Sequence, residues 1–315
     1  MSKAAIYRTR VISDNDYAGD PDGLVQLAHL LLSKSVDVKA VTSSHLLKVG
    51  PWPIPDQPAA AGAVEAQIVV DLIGSNTKVL AGSDLPMPEA GVAADSAAVD
   101  FLIEEALRDS DVPLFVLCGG PLTVVASALI KRPEISSRFT LVWIGGEEYN
   151  FDPETNLIDE HVEFNLGADL HAARYVFNES NVEIWQVPRN VYRQTVTSWA
   201  EIELRLEPAG PLGNHLYGRL HKVAKFIESL GEAPLETFIF GDSPLTSLIA
   251  LLSPLEMDPT SNNYRRVPAP KIGEDGHYVS NPAGREIRVF ETIDTRLMLE
   301  DFFSKVSLFS KAQGA

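Results

Sequence analysis

The sequence predicts an α/β protein built on a mostly parallel, doubly wound sheet flanked by helices. Three observations lead there. Short apolar, β-branched runs alternate with longer segments whose apolar residues recur at helical spacing. One run, Leu114-Phe-Val-Leu-Cys118, is apolar throughout, as a strand covered on both faces must be. An acidic turn follows the first strand, at the carboxyl end where ligands bind in such sheets.

The elements follow in order. Val11-Ile-Ser13 ends a first strand, and Leu24, Leu27, Ala28 and Leu31 mark one face of a helix. Val36 to Thr42 is a strand, residues 62–74 a helix, and Lys78 to Ala81 a short strand ending at Gly82. Residues 95–108 are helical with Ser96 as the cap; Leu114 to Cys118 is the central apolar strand, and 122–131 is helical. Phe139 to Ile144 is a strand that stops at Gly145-Gly146, 168–178 is helical, and Val182 to Val187 is a strand. Pro51-Trp-Pro-Ile-Pro-Asp-Gln-Pro58 admits neither helix interior nor central strand and forms a loop over the same rim, a connector or a lid. Residues 190–285 are mainly helical and form a cap region without a linker to mark a second domain, so 1–315 is one domain. Strand Ile287 to Phe290 and a helix from Thr295 to about Val306 close the chain.

The acidic turn runs Asp14-Asn-Asp16-Tyr-Ala-Gly-Asp20-Pro-Asp22-Gly23. Asp20 can cap the helix ahead of Pro21, and Asp22 can complement the helix dipole in its first turn. That leaves Asp14 and Asp16, on the strand side, unexplained. Carboxylates this close repel one another, so the set points to a compensating oxygen-seeking cation, most naturally Ca²⁺.

Bulk properties narrow the partners. A net charge of −17 over 315 residues opposes nucleic acid and suits a small neutral or cationic ligand or a metal. The single cysteine, Cys118, lies in the apolar run and reads as an inert buried thiol. No apolar stretch reaches the ~18 residues of a membrane span, and the first ten residues lack a signal-type apolar core, so a cytoplasmic protein is expected.

Five collinear segments resemble the nucleoside hydrolases, the inosine-uridine-preferring N-ribohydrolase family. The acidic turn is similar to their D-x-D-x-x-x-D-D motif. Gly120-Pro-Leu-Thr123, Trp143-Ile-Gly-Gly146, Glu163-Phe-Asn165 with Ala168-Asp-Leu-His-Ala-Ala173, and Gly241-Asp242-Ser-Pro-Leu245 resemble later family segments, over residues 10–250. The resemblance implies a Ca²⁺-dependent hydrolase of N-glycosidic bonds in ribonucleosides, giving ribose and free base. It implies a nucleoside or glycoside as partner and a homo-oligomer. Matched position by position, Asp16 is the general base and a metal ligand, and Asp20, Asp242 and the Thr123 carbonyl complete the metal set. Asp22, Asn156, Glu163 and Asn165 contact the sugar, Asn156 with a spacing one residue off. Read alone, Asp242 could cap the helix at Leu245–Leu252, Glu163 could be a surface residue, and Thr123 a helix-start hydroxyl.

The departures concern the leaving group. The adjacent acid pair is here Asp20-Pro-Asp22-Gly23, which leaves open whether Asp20 or Asp22 bridges to the metal. This arrangement is closer to a divergent nucleoside-hydrolase-like branch. The histidine before the late aspartate is Gly241, and Val124 replaces an asparagine. His45, in Thr42-Ser-Ser-His45, is the candidate leaving-group acid, with a structural histidine as the plainer reading; His161 is a weaker candidate. Two alternatives follow: a hydrolase of another ribosyl or glycosyl compound, or a sugar- or nucleoside-binding relative without turnover.

Overall fold

The computed structural model describes residues 7–48, 51, 53–149 and 162–314. The first half of the chain alternates strand and helix: β1 (Thr9–Asn15), α1 (Asp22–Leu31), β2 (Val36–Ser43), α2 (Pro58–Ile73), β3 (Lys78–Ala81), α3 (Ala97–Leu107), β4 (Leu114–Cys118), α4 (Thr123–Lys131) and β5 (Thr140–Ile144). Then follow α5 (Phe164–Ala168), α6 (Leu170–Arg174), a π turn at Tyr175–Glu179, β6 (Glu183–Val187), α7 (Arg189–Tyr192), β7 (Val196–Ser198), α8 (Trp199–Leu206), α9 (Gly210–Ser229) and β8 (Thr237–Ile239). The chain ends with α10 (Pro244–Ala250), β9 (Asn263–Pro268), β10 (Lys271–Ile272), β11 (Tyr278–Val279), β12 (Glu286–Thr292) and α11 (Thr295–Ala312).

The main sheet has the order β3-β2-β1-β4-β5-β6-β12-β9, and every neighbouring pair is parallel except β12 with β9. From β1 the chain first builds outward through β2 and β3, then returns to add β4 on the other side. The crossovers after β1 and β4 therefore diverge. A crevice opens between the carboxyl ends of these two strands, the usual ligand position in a doubly wound sheet.

Strand alternation sends side chains to two cores. Ile12, Val116, Leu141 and Ile184 meet α3, α4 and α6 on one face. Val11, Leu117, Val142 and Val187 meet α10 on the other. Because both faces are covered, β4 needs no polar positions. A third cluster packs α1 and α2 against α9 and α11, so α9 is held where its second half overlooks the crevice.

The structure differs from expectation at several elements. α1 starts at Asp22 with Pro21 before it, later than a cap at Asp20 implies, although the Asp22 N–H still faces the Asp20 carboxylate. α2 begins at Pro58, whose missing N–H costs nothing in a first turn. The last helix runs to Ala312. Residues 190–285 are not simply a helical cap. β7 and β8 pair antiparallel, β10 and β11 form a small hairpin, and β9 becomes the antiparallel edge of the main sheet. Edge position explains why β9 escapes notice: Arg265 and Arg266 project charge from a strand covered on one side only. Among the described residues no helix is long and apolar enough to cross a membrane.

Candidate active site

A cleft of about 460 Å³ lies at the carboxyl ends of β1, β4 and β5. Its polar floor holds Asp16, Asp20, Asp22, Asp242, Glu163 and Asn165. Opposite stand Val223, Phe226 and Ile227 of α9 and Leu230 just past its end, with Leu46, Leu47 and Ile54. The cleft thus joins a carboxylate half to an apolar half.

The floor is assembled from distant segments by one residue the motif reading passed over. Asn15 ends β1. Its Nδ2 donates to Asp242 Oδ2 at 2.9 Å, and its Oδ1 accepts the Asp16 N–H at 2.8 Å. Asp22 completes the link by accepting the Asp242 N–H at 3.0 Å. Asp242 is therefore not a side-chain cap for α10; its carboxylate turns back to β1. Glycines make this possible. A Cβ at Gly119 would lie 2.8 Å from Asp242 Oδ1 and would also strike Asn15. A Cβ at Gly23 would lie 3.0 Å from Asn15 Cγ, which favours glycine there.

Crowding of like charges sets the electrostatics. Asp16, Asp22 and Asp242 are only 8%, 8% and 6% exposed. Burial holds the Asp16 carboxyl well above its ordinary value, and Asp242 and Asp20 push it further. Burial, then Asp242 and Asp20, do the same to Asp22. Asp242 is raised by burial against the pull of Asn15. Asp20 is walled by the cleft, which raises it, yet its own surface is open to cleft solvent, so this push is the weakest of the four. Beneath them Asp14, fully buried, accepts the Thr42 and Ser44 hydroxyls at 2.6 Å each, and burial pushes it up to about 6. Among the described residues no three His, Cys, Asp or Glu side chains are gathered tightly enough to hold a metal ion.

Glu163 and Asn165 close the other side. Glu163 is buried, not a surface residue, and caps α5: its Oε2 accepts the Leu166 N–H at 3.0 Å and the Gly146 N–H at 2.7 Å. Gly146, at φ +84°, adopts a backbone open to glycine, and a side chain there would collide with the Tyr278 hydroxyl. Asn165 Nδ2 bridges the Ile144 and Gly119 carbonyls, at 2.9 and 3.2 Å, tying β5 to β4. Tyr192, also unforeseen, lines the cleft and donates to Glu163 Oε1 at 2.9 Å.

Two expected residues stand apart from the cleft lining. His45 is buried with Nε2 3.2 Å from the Ala168 carbonyl, and burial lowers its pKa, so it is neutral at pH 7. This place agrees with the plainer reading of a structural imidazole. Thr123 opens α4, and its hydroxyl donates to Asp169 at 2.6 Å. Asp169 also accepts the Met87 and Ala172 N–H groups, so it is a buried tie between three segments. Asn156 and His161 lie outside the described residues.

Residues 11–256 match the family model described as inosine-uridine preferring nucleoside hydrolase. The chain belongs to this family. Among curated relatives, a pyrimidine-specific ribonucleoside hydrolase RihA of Salmonella paratyphi A is 29% identical over 195 residues, covering 58% of this chain and 61% of the relative. The chain thus spans about six-tenths of the length of the curated relatives it matches. Among solved structures, a purine-preferring ribonucleoside hydrolase from Gardnerella vaginalis superposes with TM-score 0.74 at 19% identity, covering 96% of this chain and all of the other. An inosine-uridine preferring nucleoside hydrolase from Bacillus anthracis gives 0.65 at 21%, over 96% and 99%. These likenesses establish the nucleoside hydrolase fold.

Proposed function

We propose that this protein hydrolyses the N-glycosidic bond of ribonucleosides with the help of Ca²⁺. The observation that carries the reading is the convergence of Asp16, Asp22, Asp242 and Glu163 on one cleft with an apolar far wall. Cleavage of a glycosyl C–N bond builds positive charge on the sugar ring, and buried carboxylates stabilise it. Asp16 is the base. It takes a proton from water as the water oxygen bonds to the anomeric carbon, the C–N pair leaves with the base, and the proton returns to that base through solvent. Glu163 and Asn165 face the sugar hydroxyls, and the α9 wall receives the flat base.

The donor set fits calcium in kind: all oxygen, several anionic, mutually repelling and short of compensation, with bare glycine at 119 beside Asp242. Asp16, Asp22 and Asp242, with the Thr123 carbonyl that the family resemblance adds, are the proposed holders, and the ion would have to draw these groups closer together than the structure holds them. The Asp22–Asp242 hydrogen bond favours Asp22 over Asp20 here, which exchanges the roles the motif suggests; Asp20, more open, turns to the sugar. When bound, the ion would hold these carboxylates ionised and polarise a water. Cytoplasmic location and homo-oligomeric assembly belong to the same proposal and rest on the family resemblance.

The test is release of reducing sugar from a panel of purine, pyrimidine and nitrophenyl ribosides, with calcium and with chelator. Chelator-sensitive turnover is expected. No turnover on any riboside would favour the binding relative, to which one observation lends weight: among the described residues no imidazole lines the cleft. Turnover of the nitrophenyl riboside alone would favour another glycosyl compound.

A further inference from the structure

Glu163 is a buried anion, 5% exposed, and no lysine, arginine or histidine pairs with it among the described residues. A carboxylate so placed stays ionised only if donors replace the water it lost. Two main-chain N–H groups serve Oε2. Oε1 has one donor, the Tyr192 hydroxyl. Tyr192 is itself held at the end of α7, where the Thr195 hydroxyl and N–H both reach its carbonyl, at 2.6 and 3.1 Å.

The ring packs beside Gly241: a Cβ there would meet Tyr192 Cδ2 in ordinary contact at 3.5 Å and press on Asp22 Oδ2 at 3.3 Å. The phenol thus reaches Glu163 from the side of the cleft that also holds Asp22 and Asp242. Its single proton is given to Glu163, which leaves the phenol oxygen free to accept.

We propose that Tyr192 is a positioning residue for the sugar half of the site: its O–H holds Glu163 Oε1 in the cleft as an acceptor for a glycosyl hydroxyl, and its own oxygen offers a second acceptor beside it. This rests on the reading that Glu163 faces the sugar. Burial raises the Glu163 carboxyl, and the Gly146, Leu166 and Asn165 N–H groups and the Tyr192 hydroxyl oppose that rise. Asp242, from the turn before α10, and Tyr278, from β11, are the other titratable groups near it, and Arg189 of α7 and Asp242 also face Tyr192.

The test is Tyr192→Phe, which keeps the ring against Gly241 and removes only the hydroxyl. The Glu163 carboxyl carbon, followed by NMR in labelled protein, should titrate about one pH unit higher, as loss of one hydrogen bond to a charge implies. KM for the cleaved nucleoside should rise about tenfold with a smaller change in kcat; affinity for free ribose, by calorimetry, gives the same readout without turnover. Thr195→Val removes one of the two donors on the Tyr192 carbonyl and keeps the N–H, so it should move the Glu163 titration less than Tyr192→Phe does. An unmoved Glu163 titration in Tyr192→Phe overturns the proposal. A shifted titration with unchanged KM and ribose affinity overturns the substrate role. If wild type cleaves no riboside, the proposed function fails, while the titration and ribose affinity still decide this inference.

Discussion

Mild acid should stabilise this protein when it is free of metal. Asp14 titrates at about 6 in the folded chain against 3.8 in the unfolded one, so the folded state holds an extra proton between those values. A folded pKa raised above the unfolded one gives stability that is full below 3.8 and lost as pH rises through about 6. The whole effect is ~3 kcal/mol, and about half, ~1.4 kcal/mol, is regained on going from pH 7.5 to pH 5. Asp16, Asp22 and Asp242 are raised too and act in the same direction. His29 opposes them: burial lowers its pKa, so below about 6.5 the unfolded chain takes up a proton that the folded one refuses. The assay is urea unfolding with chelator at pH 7.5, 6 and 5, for wild type and Asp14→Asn. His29 is common to both, so the difference in slope reports Asp14 together with its smaller push on Asp16, and the variant should gain at least ~1.4 kcal/mol less between pH 7.5 and 5. In saturating calcium the trend should reverse, because protons compete with the ion for the same carboxylates. Equal acid-induced gains in wild type and Asp14→Asn would refute the argument.

Asp16→Asn should lower turnover by a factor on the order of 10²–10⁴ and leave the fold intact, read from kcat and circular dichroism. His45→Ala should lose stability in thermal unfolding, and any loss of turnover should be alike for nitrophenyl and natural ribosides, as its place against Ala168 implies. Arg10→Met should cost ~3 kcal/mol in urea unfolding: it strips Glu105, 1% exposed, of its 2.6 Å partner and leaves only Arg108, at 3.0 Å.

The sheet was legible because strands covered on both faces must be apolar runs, and β4 and β5 have no other reading. That Asp16, Asp22, Glu163 and Asp242 would meet was legible because acids beside glycines at strand ends and helix starts collect at the same rim of such a sheet, and all four line the cleft. What the sequence hid depends on long-range packing. Asn15 is one polar residue inside an acidic turn, and only its 2.9 Å contact with Asp242, 227 positions away, reveals its part. Tyr192 follows β6 in an unremarked Pro-Arg-Asn-Val-Tyr stretch. The apolar wall of α9 was visible as Val223, Phe226, Ile227 and Leu230 at helical spacing, but such a stripe ordinarily means core. His45 was ambiguous in the sequence because an imidazole after a strand suits chemistry and burial against a carbonyl equally well, and the structure shows the latter contact.

Asn15 standing between Gly23 and Gly119 also constrains how this lineage can change. A side chain at 23 would approach Asn15 to 3.0 Å, so the amide that ties Asp16 and Asp242 to β1 would have to give by a few tenths of an ångström. Positions 15 and 23 are therefore coupled, and libraries that vary them together should recover more residues other than glycine at 23 than libraries that vary 23 alone.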